Sequence, residues 1–600
     1  MQSWSRCTSR SLISKFIPRA GSIPPYNRIA MQQSTQAAPT EVGQIQRKRQ
    51  FQGGRGPKRQ RTKKEKPVQE GSSQEVLLAD VRALFEAQTL SENPKSHQVE
   101  TTSDSTPFKE RQSTPPIHTE SAAGSVLKET LPEPFTEIEV KVIEISSTGD
   151  GLALHSNSKQ IYVVPFTAPG DIAKIKVIKH FEKEHYSLAD FLSVVEPSPL
   201  RDDSRINCKY FSKCSGCQFQ MLAYPIQLQH KKTIVEKAYK NFSHLPPELI
   251  PIIEDTIGSP LQYGYRTKLT PHFDGPPGYV SKADRQKGIK KSFNDVPNIG
   301  FMQKGLRKTL DIEDCPIGTD AVRVGMKRER GRVADELQKY QKGATILLRE
   351  STRRVSNDGP EAAESPPDTI KISTDKHTDF KTCITDNNAT STEYIDDFVF
   401  TSIAGSFFQN NNSILPRFTQ YIRDHILPPA ATSGDNPPIK YLIDAYSGSG
   451  LFTITLSSLF TSSIGIDVST TSIISARHNA SLNKLSTSQC TFIDADASEL
   501  FKSVTFPNDE TVVVIDPPRK GCDENFLKQL LKFAPRRVVY VSCNVHTQAR
   551  DVGTLVMGLE SGGTRYEVES LRGFDFFPQT GHVEAVAVLS RVENTFSNSV

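Results

Sequence analysis

Three positions near the C-terminus combine side-chain type and placement suited to covalent chemistry. Cys543 follows the run Arg537-Val538-Val539-Tyr540-Val541-Ser542, a β-branched stretch that reads as a buried strand. Asp516 follows a second such run, Thr511-Val512-Val513-Val514-Ile515, which Pro517 and Pro518 stop sharply. His582 and Glu584 open a third run that continues to Leu589. Open α/β sheets gather their chemistry at the carboxyl edge, so these strands can bring a thiol, a carboxylate and a base into one cleft. Such a set suits nucleophilic catalysis followed by proton transfer. Cys522 is a second thiol eligible by composition, and a cysteine near a strand end is more often buried than catalytic.

These residues need a sheet to carry them, and the preceding segment has its signals. Tyr441-Leu442-Ile443-Asp444-Ala445 reads as a strand, Tyr446-Ser447-Gly448-Ser449-Gly450 as a tight turn, and Leu451 to Leu459 as a helix. This is the first βα unit of a nucleotide-binding sheet, although Gly448-x-Gly450 alone is a weak signature. Asp467 ends the next strand, Ile464-Gly465-Ile466, where a carboxylate can take both ribose hydroxyls. Thr491 to Asp496 ends a third strand, which places Asp494 or Asp496 against an adenine.

The trio Asp516-Pro517-Pro518-Arg519, Ser542-Cys543-Asn544 and His582-Val583-Glu584, in this order and spacing, resembles the RNA uridine-C5 methyltransferase family, which includes the tRNA (uracil-5-)-methyltransferases. The resemblance implies a Rossmann-like class I methyltransferase domain that uses S-adenosylmethionine. By the family pattern Cys543 is the nucleophile at uracil C6, Glu584 the proton acceptor, and Gln409 of Phe407-Phe408-Gln409 a cofactor contact with Tyr446, Asp467 and Asp516. Asp496 is the expected adenine contact. Two departures stand out: Asp467 where members usually carry Glu, and Ser447 where they carry Cys. The expected product is 5-methyluridine at T-loop position 54 of tRNA. The alternatives are ribosomal RNA as substrate, cytosine C5 as target, a small-molecule or protein methyltransferase, and a non-catalytic RNA-binding or folding protein.

Upstream, residues 134–199 carry short alternating strands (Glu137 to Ile145, Gln160 to Pro165, Ile172 to Ile178) of the kind that close into a small barrel. The stretch resembles the TRAM domain, an RNA-binding barrel, and Lys174, Lys176 and Lys179 are its candidate phosphate contacts. Cys208, Cys214 and Cys217, with Cys315 beside Pro316, can supply four thiolates to one metal centre. Zinc is the generic reading; one branch of the family carries a 4Fe-4S cluster on this spacing. Tyr224 to Ala238 reads as a helix, Tyr263 to Leu269 as a strand with Arg266 and Lys268 on one face, and Asn298 to Gly305 as a hairpin arm. These belong to a central α+β RNA-binding region, residues 200–395. Within it, residues 354–392 lose periodicity and read as a disordered insertion, Cys383 included. The methyltransferase domain is expected over 396–600.

The chain has 600 residues, nine cysteines and a formal net charge of +5, with the basic excess concentrated in the first seventy residues. That length suggests several domains, and cysteines grouped in a long chain suggest a reducing compartment. No apolar run reaches the ~18 residues of a membrane-spanning helix, so no membrane is expected; the resemblance implies tRNA, or ribosomal RNA, as the partner, and no obligate protein partner is expected. Arg6, Arg10, Lys15, Arg19 and Arg28, with no acid before Glu41, resemble a mitochondrial presequence. The clusters Arg47-Lys48-Arg49 and Arg55 to Lys66 resemble a bipartite nuclear signal or an RNA-binding arm. Met31 is a candidate second start. One amphipathic helix is expected near Ser72 to Thr89, but no packed domain before Pro134, so that residues 1–133 read as a disordered basic tail.

Overall fold

The computed structural model describes residues 68–92 and 131–592, apart from 157, 277–285, 287, 289–291, 359–365, 430–436, 497–500, 502–503 and 560–562. The presequence-like and basic segments lie outside the described residues, as does most of the tail. One part of that tail corrects the expectation. Ser73–Glu92 forms a 20-residue helix, α1, that buries Leu78 and Val81 against Leu152, Ile161 and Val163 of the barrel that follows. Its apolar residues are spaced for one face, and the barrel supplies the partner surface that the polar neighbouring sequence conceals.

The barrel is closed, in the order β1-β2-β3-β5-β4, with β1 at Glu137–Ile145, β2 at Gly151–His155, β3 at Ser158–Val164, β4 at Ile172–Phe181 and β5 at Tyr186–Glu196. Alternate residues Val140, Val142, Ala173, Ile175 and Val177 fill it, as period-two patterning requires. Lys174 pairs with Glu137 at 2.9 Å, and Lys179 lies over the Phe181 ring.

Helix α2 (Tyr224–Phe242) follows, with Pro225 in its first turn, where a missing N–H costs nothing. Short strands β6 (Glu254–Ile257), β7 (Lys268–Leu269) and β8 (His272–Phe273) lead to α3 (Asp320–Asp335), β9 (Ala344–Thr345) and β10 (Leu348–Ser356). The segment read as a disordered insertion is ordered over most of its length. Ile370–Ser373 (β11) and His377–Ile384 (β12) continue an antiparallel sheet in the order β11-β12-β10-β7. Only Phe380 of β12 is buried; the remainder is half-buried and mostly polar, which hides the strand from hydrophobic patterning. Cys383 packs against this central core, beneath α3. The hairpin of β13 (Thr390–Ile395) and β14 (Phe398–Ile403) straddles the expected boundary with the last domain.

That domain comprises α4 (Leu415–His425), β15 (Tyr441–Ala445), α5 (Leu451–Thr455), β16 (Ser462–Asp467), α6 (Thr470–Leu482), β17 (Cys490–Asp494), β18 (Thr511–Ile515), α7 (Glu524–Phe533), β19 (Arg537–Ser542), α8 (Val545–Met557), β20 (Tyr566–Phe574) and β21 (Glu584–Arg591). Its eight-stranded sheet runs β17-β16-β15-β18-β19-β21-β20-β6. The first five strands in that order are parallel and β21 runs against β19. The sheet is covered on both faces: Val513, Ile515, Val538 and Tyr540 face α2, α7 and α8, whereas Val512, Val514, Val539 and Val541 face α4, α5 and α6. Strands buried on both faces are continuously apolar, and so β18 and β19 were readable.

Candidate active site

The parallel strands end at one edge of the sheet, and each contributes a polar residue there. After β15 the chain turns through Tyr446 (φ 65°), Gly448 (φ 54°) and Gly450 (φ 91°). A non-glycine residue at positive φ is uncommon and concentrates at functional sites. Asp467, at the end of β16, accepts N–H bonds from Gly448 at 3.0 Å and Ser469 at 2.7 Å, one on each oxygen. It therefore holds the glycine turn and the start of α6 together. Asp444, within β15, accepts from the amide and hydroxyl of Thr453 at 2.9 and 2.6 Å. Its other oxygen and the Ser447 hydroxyl are buried without a partner among the described residues. Burial pushes Asp444 up to about 7 against the Thr453 bonds, and nearby Asp467 adds to the rise.

A cavity of about 510 Å³ lies over this turn. Gln409, Tyr446, Asp467, Asp516, Cys543 and Glu584 all line it, so six of the seven proposed catalytic and cofactor residues converge. Asp496 does not line it. Its neighbour Asp494 accepts a bond from the Thr470 hydroxyl instead. Gln409 is placed by clamps from the central region. Lys268 donates to the carbonyls of Gly405 and Ser406, both at 2.9 Å, and the Thr267 amide donates to Asn410 O at 2.9 Å. Lys268, read as an RNA contact, is thus engaged in holding the cofactor-side loop. Two lining residues had no clear signal of their own: Phe407, 75% exposed beside Gln409, and Arg519, which only its place after Pro517-Pro518 could have pointed out.

The electrostatics of the reacting groups are set by dryness and crowding of like charge. Burial, then the carboxylates of Glu584 and Asp516, push the Cys543 thiol up to about 12, while Arg519 opposes them by charge and by a hydrogen bond. Burial followed by Asp516 pushes Glu584 up to about 8, with Arg519 and Lys231 opposing. Burial and then Asp444 push Asp516 up to about 7. Two acids beside one thiol, Glu584 and Asp516, make a site that favours an added positive charge. Cys522 is buried beneath, bonded to Tyr540, and lines no part of this cavity.

The four expected cysteine ligands also come together. Cys208, Cys214, Cys217 and Cys315 line one cavity of about 310 Å³, with Arg266, Phe577 and His582. Burial raises every one of these thiols, Cys217 to about 12. No three His, Cys, Asp or Glu side chains among the described residues are grouped to hold a single metal ion. The hairpin expected near Asn298 forms, with Gln303 N donating to Lys308 O and Leu310 N to Phe301 O, each at 2.9 Å.

Residues 376–592 match the family model described as tRNA (uracil-5-)-methyltransferase, and residues 133–192 match the TRAM domain. A tRNA (uracil(54)-C(5))-methyltransferase of Schizosaccharomyces pombe is 43% identical over 527 residues, covering 88% of this chain and 85% of the relative. Its counterpart by name in Saccharomyces cerevisiae is 42% identical, over 76% of this chain and 73% of the relative. The crystal structure of Pyrococcus abyssi tRNA (uracil-54, C5)-methyltransferase, in complex with S-adenosyl-L-homocysteine, aligns with 75% of this chain and all of its own at a TM-score of 0.50 and 24% identity. That likeness supports the fold.

Proposed function

The chain belongs to the tRNA (uracil-5-)-methyltransferase family, and we propose that Cys543 carries its reaction, the methylation of uridine C5 at position 54 of tRNA, through a covalent bond to C6. The observation that carries this reading is the meeting of Cys543, Glu584 and Asp516 with the glycine turn around one cavity.

The residues fit S-adenosylmethionine. A side chain at Gly448 would meet nothing within 4 Å, because it would project into the cavity, and the unpartnered oxygen of Asp444 and hydroxyl of Ser447 lie beside the same turn. Asp467, which ends a strand beside the glycine turn, suits the ribose hydroxyls, and Gln409 and Tyr446 line the same cavity. The bound cofactor supplies an electrophilic methyl group on a sulfonium. The residues of this chain do the rest. Cys543 Sγ, as thiolate beside Arg519, adds to C6, and the C5–C6 π pair moves onto C5 and O4, which makes C5 a nucleophile toward the methyl group. Glu584 then takes the C5 proton. The released pair restores the C5–C6 double bond and expels the thiolate. Uracil reaches Cys543 only outside its stack, so the target nucleotide is flipped.

The test is transfer of labelled methyl from S-adenosylmethionine to unmodified tRNA by the wild type and by Cys543→Ala. Formation of 5-methyluridine at position 54 by the wild type alone supports the reading. Methylation of ribosomal RNA but not tRNA would replace the substrate, and no methylation at all would favour an RNA-binding role.

Cys208, Cys214, Cys217 and Cys315 are proposed to hold a 4Fe-4S cluster. The four thiols line one cavity of about 310 Å³, which supports this reading. Iron and sulfide content with visible absorbance, compared between the wild type and Cys315→Ser, tests this; stoichiometric zinc would contradict it. The segments before residue 68 are proposed to direct the protein to the mitochondrion, to the nucleus or cytoplasm, or to both, which imaging of full-length and Met31-started fusions would test.

A further inference from the structure

Cys543 stands between two spaces. Across it from the cofactor cavity is a second chamber of about 540 Å³, which also includes Arg519 in its lining. With the methyl donor in the first space, a pyrimidine reaches the thiol through the second. Part of that chamber's wall comes from an unexpected source: Gly71, Ser72, Ser73 and Val76, the first turn of α1. This segment lies outside both matched family regions.

The turn is built to stay there. The Ser72 hydroxyl accepts from the Glu75 amide at 3.3 Å while the Glu75 carboxylate accepts from the Gly71 amide at 2.7 Å, a reciprocal cap. Gly71 O then accepts from Asn544 Nδ2 at 3.1 Å, and the same Nδ2 donates to Arg519 O at 2.9 Å. One side-chain amide thus ties α1 to both chain segments that present Cys543 and Arg519. Glu70 pairs with Arg550 of α8 at 3.3 Å. Gly71 has φ +69°, and a Cβ there would come within 2.4 Å of Thr547 Cγ2, so this approach requires glycine. Farther along, Asp80 accepts from the Ser147 amide at 2.5 Å, which fixes the barrel loop that forms the opposite wall. In that wall the Ser147 hydroxyl is buried without a partner among the described residues.

We propose that the first turn of α1 completes the nucleotide-side chamber, holding the Cys543–Asn544 turn in register and facing the RNA strand that flanks the flipped uridine. Gly71, Ser72 and Asn544 are positioning residues; the ligand class is single-stranded RNA, with its sugar-phosphate at the Ser147 hydroxyl. The inference rests on the functional reading above.

The experiment uses the full chain and tRNA bearing 5-fluorouridine at position 54, which cannot lose the C5 substituent and so retains the adduct. Two variants disturb α1 at separate places: Gly71→Ala at the chamber, and Val81→Asp, fully buried on the barrel, at a distance from it. In both, adduct formation is expected to slow by about tenfold or more, as small misplacements of reacting groups do, with S-adenosylmethionine affinity unchanged. Wild-type adduct rates in both variants would overturn the inference and leave α1 as a cover for the barrel. A parallel loss of cofactor affinity would overturn it too, by showing general disruption. Absence of adduct in the wild type would instead overturn the functional reading.

Discussion

Ser542 and Ala585 are register partners across the antiparallel pair β19–β21, so the next position outward on the two strands brings Cys543 alongside Glu584. The register is fixed by the core: Val539 and Val541 lie on one face, Tyr540 on the other, and all are buried. A slip of one residue would turn each of them to the wrong layer. The spacing of nucleophile and base is therefore set by the sheet, and the Asn544 bonds to Gly71 and Arg519 hold the turn that follows Cys543.

A buried acid with a raised pKa weakens the fold at high pH. Glu584 is held near 8 by burial and by Asp516, against ~4.3 for an unfolded glutamate. The folded state thus binds this proton more tightly, and the associated stability is present below the unfolded value and lost as pH rises through about 8. Glu584→Gln is expected to be the more stable protein at about pH 9, by on the order of a few kcal/mol, while turnover collapses. Denaturant melts at acid and alkaline pH check the sign.

Lys231 is wholly buried, paired with Asp575, and donates to Phe577 O at 3.1 Å and His582 O at 2.7 Å. It anchors the loop that enters β21 at Glu584. Lys231→Met leaves Asp575 buried with its Tyr224 bond at 2.9 Å but no cation. The expected cost is ~3–5 kcal/mol in a urea titration. Adding Asp575→Asn should recover part of that stability without restoring turnover.

Asp467 bonds the Gly448 amide and lines the cavity proposed for the cofactor. Asp467→Ala is expected to weaken S-adenosylmethionine by about 10- to 100-fold, the effect of losing charged hydrogen bonds worth ~1.5–3 kcal/mol. Affinity for tRNA should stay unchanged. Titration calorimetry with each ligand separates the two.

The parts legible in sequence were those whose signals are local. Strands β18 and β19 announce themselves as unbroken apolar runs, and Gly448 and Gly450 as a turn, so Cys543, Asp516 and Asp467 could be placed at one edge. Strand β12 could not, because Phe380 is its one buried residue. Helix α1 was visible as a pattern, but its docking depends on a barrel surface some sixty residues later. Asp444 and Ser447 are ordinary polar residues in the sequence; their missing hydrogen bonds appear only after the sheet closes over them. Lys268 suggested RNA by charge, and geometry turns it to the carbonyls of Gly405 and Ser406. Asp496, expected at a strand end, lies two residues past β17 and is not among the residues that line the cavity.

The central claim is that Cys543 forms, and Glu584 resolves, a covalent bond to the RNA. The most direct measurement incubates Glu584→Gln with S-adenosylmethionine and unmodified tRNA, followed by denaturing electrophoresis and mass mapping of any protein–RNA species. The account predicts a methylated adduct that accumulates because its C5 proton is not removed, with the nucleotide attached at Cys543. No adduct, or attachment at Cys522 or any other residue, would contradict it.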